Sequence, residues 1–88
     1  MRLDRYLFFI RLAKSRTLAQ GLIEAGKIRI DGKRVAKPSE EVRVGQVIAF
    51  PLYGKVRIIR VTALPSRRGP PPEARRHYEE IDEAIAAT

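Results

Sequence analysis

Cationic side chains are the residues of this chain whose number and spacing most clearly indicate a chemistry. The first 34 residues carry nine of them against three carboxylates, a net charge of +6. The nine are Arg2, Arg5, Arg11, Lys14, Arg16, Lys27, Arg29, Lys33 and Arg34. Because the apolar residues between them keep the periodicity of folded elements, this segment is not a disordered basic tail. A folded and concentrated positive surface is suited to binding a polyanion.

The remaining sequence shows that this charge is localised. Residues 35–64 add +3 and residues 65–88 carry −1, which completes the total of +8. With 88 residues, 44% of them hydrophobic, the chain is predicted to form one small globular domain. The absence of cysteine excludes disulfides and thiol chemistry. Without a secretion signal or an apolar run of about 20 residues, we expect a cytoplasmic protein that does not cross a membrane.

Two helices are predicted to position the first group of cations. The spacing of Leu3, Leu7 and Ile10 predicts a helix over about residues 3–12. A second helix is predicted to begin at Ser15, whose hydroxyl can cap the free backbone N–H groups of the first turn, and to end at Gly26. Its predicted buried residues are Leu18, Leu22, Ile23 and Ala25. Gly21 lies inside this helix, where glycine is destabilising. It is interpreted either as a tolerated destabilising position or as one that allows another backbone to approach closely.

A period of two replaces the helical period after Gly26. Residues 27–30 alternate charged and apolar, and Asp31-Gly32 predicts a two-residue hairpin leading into residues 33–35. Further strands are predicted over residues 47–50 and 56–64. The sequence therefore predicts an α+β fold, with two N-terminal helices packed on a small antiparallel sheet.

The C-terminal quarter has a different composition. Residues 65–72 contain four prolines and two arginines, which predicts a stiff, extended linker. Residues 73–87 are rich in acidic residues, and Ile81 and Ile85 are spaced i, i+4, which predicts a terminal helix. We therefore divide the chain into an N-terminal domain, residues 1–64, and a linker with an acidic helix, residues 65–88. Whether that helix docks on the domain, binds a protein partner or stays mobile is left open.

Several ordered motifs resemble the ribosomal protein S4-like RNA-binding domain, also called the alpha-L motif. They are RLDRYL at residues 2–7, RLAKSRTLAQ at 11–20, EAGKIRIDGKRV at 24–35 and KPS at 37–39. The segment SRRGPPP at residues 66–72, followed by Tyr78, further resembles the heat-shock protein 15 group. The resemblance implies that the second helix, the turn before it and the hairpin contact structured RNA. It also implies association with the large ribosomal subunit, in particular with stalled subunits that still hold peptidyl-tRNA.

The candidate RNA-binding residues combine the basic cluster with the motifs of this resemblance. They are Arg2, Arg5, Arg11, Lys14, Ser15, Arg16, Gln20, Lys27, Arg29, Lys33, Arg34 and Lys37. Lys14 and Arg16 lead this set, because they flank the helix start where free N–H groups and the helix dipole also attract a phosphate. Arg2 and Arg5 have a second interpretation, as partners of Asp4 or Glu24 in structural ion pairs. Gln20 is interpreted either as an RNA contact or as an ordinary exposed glutamine.

A catalytic or metal-binding site is not predicted. His77 is the single histidine and there is no cysteine, so no cofactor or metal is expected. The few aromatic residues are better explained by core packing than by base stacking, which favours recognition of RNA shape and phosphates. We expect a monomer that binds structured RNA without catalysis, namely large-subunit ribosomal RNA, tRNA or both, in stalled-ribosome recycling or quality control. The alternatives are an accessory or fragment of an RNA-modification enzyme and a general DNA-binding protein.

Overall fold

Helices at the N-terminus cover an antiparallel sheet in the computed structural model, which describes residues 1–52 and 54–81. The helices are α1 (Leu3–Phe9), α2 (Arg16–Glu24) and α3 (Pro71–Ala74), and a 3₁₀ turn spans Arg75–His77. The strands are β1 (Arg29–Ile30), β2 (Lys33–Arg34), β3 (Val47–Leu52), β4 (Lys55–Val61) and β5 (Tyr78–Ile81). Their order in the sheet is β2-β1-β3-β4-β5, and every neighbouring pair is antiparallel. The predicted α+β fold class is confirmed.

The core lies between the two N-terminal helices and one face of the sheet. The apolar stripe of α1, which includes Leu3, Leu7 and Ile10, is at most 2% exposed. It belongs to the same buried cluster as Ile48 and Ile59, which are cross-strand partners on β3 and β4. Burial of large aliphatic side chains at this level stabilises a fold by about 1.5–3 kcal/mol per side chain.

Helix α1 ends earlier than its apolar spacing predicts. The predicted end near Leu12 is wrong, because the chain leaves the helix at Ile10 and Arg11 takes a left-handed conformation with φ 64°. The N–H of Leu12 then donates to the carbonyl of Leu7 at 3.1 Å, and that of Arg11 donates to Phe8 at 3.1 Å. Such a pair of hydrogen bonds closes a helix, normally around a glycine. An arginine at this position gives no such signal in the sequence.

Helix α2 begins and ends where predicted, but its buried side is different. The Ser15 hydroxyl accepts a hydrogen bond from the Leu18 N–H at 3.0 Å, and Gly26 follows the helix with φ 73°. Leu18 is 48% exposed, so its assignment to the core is wrong. Ala19 and Ile23, one helical turn apart, are the buried residues instead. Ala25 is also exposed, because it lies at the helix end.

The predicted hairpin is confirmed in detail. Asp31 and Gly32 both have positive φ, 50° and 83°, as a two-residue turn of this kind requires. The turn sets the register in which Ile30 is opposite Lys33. The Asp31 carboxylate also accepts the N–H of Val47 at 2.9 Å, which ties the turn to β3.

The predicted terminal helix is wrong where the structure describes it. Residues 71–74 are helical, but residues 78–81 form β5 and pair with β4. The i, i+4 pair of isoleucines imitates a helix in the sequence, whereas the exposed edge of β4 offers hydrogen bonds that override local preference. The rest of the predicted helix, residues 82–87, lies outside the described residues. The division of the chain at residue 64 stays a prediction.

Residues 65–77, predicted in part as an extended linker, are attached to α1 by polar contacts. Arg11 Nε donates to the carbonyl of Gly69 at 2.6 Å, and Arg68 Nε donates to that of Phe8 at 3.1 Å. The hydroxyl of the buried Tyr6 donates to the carbonyl of His77 at 2.8 Å. Burial also raises the pKa of this phenol, so it remains a donor. The segment therefore packs on the helix end.

We expect Tyr6→Phe to lower the free energy of unfolding by about 1 kcal/mol, because the His77 carbonyl loses its donor while the ring remains packed. Urea denaturation measures this change. The matched control is Tyr78→Phe, which removes a hydroxyl from a ring that is only partly buried. An equal loss in both variants would contradict a specific role for the Tyr6 hydrogen bond.

Candidate nucleic-acid interface

A buried carboxylate lies at the centre of the cationic surface. Asp4 is 0% exposed, and its two oxygens accept hydrogen bonds from Arg2 Nε and Nη2, both at 3.1 Å. Gln20 Nε2 donates to the same carboxylate at 2.9 Å, and Arg16 Nη2 lies 3.4 Å from it. Residues from the two helices are thereby brought to one point. The pairing of Arg2 with Asp4, one of its two predicted interpretations, is observed.

These contacts orient the two arginines but engage only some of their N–H donors. The side chains of Arg2 and Arg16 remain 44% and 45% exposed. A guanidinium carries five N–H donors, and Asp4 engages only one or two from each arginine. The remaining donors are available to a ligand. Gln20 is half-buried here and donates to Asp4, so its interpretation as an ordinary exposed glutamine is wrong. Its contact with RNA stays a prediction.

The ionisation of Asp4 is favoured by this network. Burial alone would raise its pKa, but hydrogen bonds from Gln20, Arg2 and the Arg5 backbone, with the Arg2 charge, hold the pKa below its ordinary value of 3.8. Asp4 therefore remains an anion at neutral pH and keeps its partners oriented.

The start of α2 adds two further candidates to this surface. Lys14 and Ser15 are exposed immediately before the helix, next to Arg16. Because the Ser15 hydroxyl caps the Leu18 N–H, its part is chiefly to begin the helix and so to fix the direction of Arg16.

Two further candidate residues, Arg5 in α1 and Arg11 just after it, contact other partners. Arg5 gives only its backbone N–H to Asp4, at 2.8 Å, and its guanidinium lies 5.5 Å from the ring centre of Phe9. Its predicted pairing with a carboxylate is therefore not observed. Arg11 donates to Gly69 and lies with the C-terminal segment. The structure does not bring Arg11 into the Asp4 network.

The hairpin places like charges opposite one another. Arg29 on β1 and Arg34 on β2 are direct cross-strand partners, an arrangement that costs stability unless an anion neutralises it. Arg34 also packs across the end of α2, where a Cβ added to Gly26 would lie 3.2 Å from Arg34 Cδ. The left-handed glycine thus makes room for the arginine stem.

The hairpin cations line two separate clefts. Lys33, Arg34 and Lys37 line a cleft of about 530 Å³ together with the carboxylates Asp31 and Glu40. Lys27 and Arg29 line a smaller one of about 290 Å³. The loop after Lys37 connects the first cleft with the Asp4 network, because the Asp4 N–H donates to the Pro38 carbonyl at 3.2 Å. We call the Asp4 network, the start of α2 and the hairpin cations together the basic surface. Its predicted members are Arg2, Lys14, Ser15, Arg16, Gln20, Lys27, Arg29, Lys33, Arg34 and Lys37.

No group of three or more potential metal ligands occurs within residues 1–52 and 54–81. No helix in that same part of the chain is long and apolar enough to span a membrane. The one functional residue that the sequence interpretation left as a minor partner is Asp4. Its spacing of 12 and 16 residues to Arg16 and Gln20 has no local periodicity that would reveal the network.

Gly21 provides a local test of the exposed face of α2. A Cβ at this position would meet no described atom within 4 Å, so no backbone of the described chain approaches it. We expect Gly21→Ala to raise the free energy of unfolding by about 1 kcal/mol, because alanine restricts the unfolded chain and favours the helix. Thermal or urea denaturation measures this. An unchanged or lower stability would contradict the open environment.

The domain of two helices on a small sheet, which carries the basic surface, matches the S4 domain family over residues 1–48. The chain belongs to this family. It is 35% identical to heat shock protein 15 of Escherichia coli K12 over 85 residues, which cover 97% of this chain and 63% of that protein. A solved structure of heat shock protein 15 from Vibrio cholerae aligns with a TM-score of 0.90 and 33% identity, covering 99% of this chain and 87% of the other.

The match to ribosomal proteins covers about half of the chain. Small ribosomal subunit protein uS4 of Lacticaseibacillus casei is 54% identical over 49 residues, which are 56% of this chain and 24% of that protein. The predicted resemblance to the S4-like domain and the heat-shock protein 15 group is confirmed. The chain spans somewhat less than two thirds of the length of the Escherichia coli relative.

Proposed function

We propose that this protein binds structured RNA through the basic surface and catalyses no reaction. The observation that carries the proposal is the Asp4 network, which holds Arg2 and Arg16 in place while leaving both side chains nearly half exposed. Preorganised arginines lose little conformational entropy when they bind a phosphate. Membership of the S4 domain family supports RNA as the polyanion.

The RNA that we propose is large-subunit ribosomal RNA, tRNA or both, bound in stalled-ribosome recycling or quality control. The similarity to heat shock protein 15 over 97% of the chain supports this choice. A cytoplasmic location follows from that role. Each of the clefts at the hairpin has the cations needed to follow a phosphate backbone, which suits a double-stranded or folded RNA better than a single strand.

Crosslinking in cells followed by sequencing of the bound RNA tests this target. We expect enrichment of large-subunit ribosomal RNA or tRNA over messenger RNA. Recovery of messenger RNA without ribosomal RNA or tRNA would contradict the proposed role in ribosome recycling. In a parallel assay, equal affinity for duplex DNA and for structured RNA at matched salt would favour the general DNA-binding alternative. A modified base after incubation of ribosomal RNA with the pure protein would contradict the absence of catalysis.

We also propose that the protein acts as a monomer, since the basic surface is assembled within one chain. The similar Vibrio cholerae protein is described as trimeric. Sedimentation equilibrium distinguishes the two states. We expect the mass of one chain across the micromolar range, and three times that mass would contradict the proposal.

A further inference from the structure

A further cationic cleft lies away from the basic surface, at the C-terminal end of α1. It has a volume of about 720 Å³ and is lined, among the described residues, by four arginines, by Tyr78 and by one carboxylate, that of Glu80. The arginines are Arg11, Arg57, Arg68 and Arg75. They come from four separate elements: the end of α1, strand β4, the segment before α3 and the 3₁₀ turn. Convergence of four guanidiniums on one space is electrostatically unfavourable unless an anion occupies it.

Protein contacts hold three of these arginines in place and use only part of each guanidinium. Arg11 and Arg68 each donate from Nε to a backbone carbonyl, of Gly69 and Phe8 respectively, which neutralises neither charge. The guanidinium of Arg68 also lies 4.6 Å from the ring centre of Phe8. Arg57 pairs with Glu80, so one carboxylate offsets one of the four cations. Among the described residues that line the cleft, the net charge is therefore positive.

The backbone at Arg11 supplies an independent observation. Its φ of 64° is a conformation that glycine adopts freely and that costs an arginine about 1 kcal/mol. The helix end would close equally well around a glycine. Backbone strain of this kind is often retained at functional sites. Here the strained residue is Arg11, whose side chain lines the cleft.

The cleft and the hairpin lie toward opposite edges of the sheet. The hairpin strands β2 and β1 form one edge, and β5, which carries Tyr78 and Glu80, forms the other. Four strand spacings separate β2 from β5, which is roughly 19 Å. A ligand held at the hairpin and a ligand held in the cleft therefore contact the protein at two distinct places.

We propose that this arginine cleft binds the phosphate backbone of a second segment of RNA, separate from the segment held by the basic surface. The inference rests on the proposed RNA binding and extends it. Guanidiniums match phosphate oxygens with paired N–H groups, and four of them around one opening suit a backbone with successive phosphates. The protein would then join two parts of a folded RNA.

The test compares neighbouring arginines of the same 3₁₀ turn. Both side chains are exposed, but Arg75 lines the cleft and Arg76 does not. Arg75→Gln and Arg76→Gln change the net charge equally. Binding to purified large-subunit ribosomal RNA is measured over a range of salt concentrations. We expect Arg75→Gln to weaken affinity about fivefold and to reduce the salt slope by about one, while Arg76→Gln leaves both unchanged.

A second variant, Arg11→Gly, keeps the left-handed helix end and removes a cation from the cleft. It should lower affinity and slope in the same way, with thermal denaturation used to verify that it is folded. Wild-type behaviour of Arg75→Gln, or equal losses in Arg75→Gln and Arg76→Gln, would overturn the second site. If those results occur while Lys14 and Arg16 still prove essential for binding, the proposed function stands without the cleft. If the wild-type protein does not bind the RNA, both proposals fail.

Discussion

Replacement of Asp4 by asparagine is expected to weaken RNA binding about tenfold, although it removes a negative charge from the basic surface. Electrostatics alone would predict tighter RNA binding, because loss of a carboxylate makes the surface more positive. Asparagine, however, offers an N–H₂ group where Asp4 accepts from Arg2, Arg16 and Gln20. The two arginines then lose their common anchor, and their ordering must be supplied at the moment of binding.

The same substitution is expected to reduce the free energy of unfolding by about 3 kcal/mol, since it breaks a buried and hydrogen-bonded charge network. Glu24→Gln is the matched control: it also removes a carboxylate from the first 34 residues, but that residue is exposed. The control should leave stability unchanged and RNA affinity unchanged or slightly higher. Tighter RNA binding by both variants would contradict the positioning role of Asp4.

The stability of the protein in acid depends on the same carboxylate. Its pKa is lower in the folded chain than its ordinary value of 3.8, which the unfolded chain approaches. Its contribution is therefore complete above the unfolded value and is lost as the pH falls through the lower, folded one. As the pH is lowered below about 4, we expect the urea concentration at the unfolding midpoint to decrease for the wild-type protein. For Asp4→Asn the decrease over the same pH range should be smaller. Parallel curves would contradict this assignment.

The second large effect is expected from Lys14 and Arg16. Changing both to glutamine should reduce affinity for large-subunit ribosomal RNA by ten- to a hundredfold, about 1.4–2.7 kcal/mol, because two exposed cations leave the start of α2. The fold should persist, since both side chains are exposed and the Ser15 cap remains. Circular dichroism and urea denaturation verify this.

A charge-matched control is available in the C-terminal segment. Arg67→Gln combined with Arg76→Gln also removes two cations, from exposed positions that do not belong to the basic surface. That variant should bind RNA within about twofold of the wild type. Equal losses in the two double variants would show that net charge, rather than the basic surface, determines binding.

Local signals in the sequence account for the elements that were predicted correctly. The Ser15 cap, the left-handed Gly26 and the Asp31-Gly32 turn each depend on only one or two adjacent residues, so the ends of α2 and the hairpin register follow from the sequence. The positions of the cations along these elements follow for the same reason, and their contact with RNA stays a prediction.

Three features that the sequence does not reveal have a common physical cause. Each of them depends on contacts with residues that are distant in the chain. Strand β5 forms since β4 presents an unpaired edge, and this outweighs the helical spacing of the terminal isoleucines. Arg11 was included among the candidate RNA-binding residues with the basic cluster, and the sequence does not reveal its left-handed backbone or its contact with Gly69. Asp4 was predicted only as an alternative ion-pair partner of Arg2 and Arg5, whereas its contact with Gln20, 16 residues away, links it to α2 as well.

The salt dependence of RNA binding by the wild-type protein tests the central claim most directly. If four to six cations of the basic surface neutralise phosphates, the logarithm of the association constant for large-subunit ribosomal RNA should fall against the logarithm of salt concentration with a slope of about −3 to −5. A slope near zero would contradict binding through a phosphate-neutralising surface.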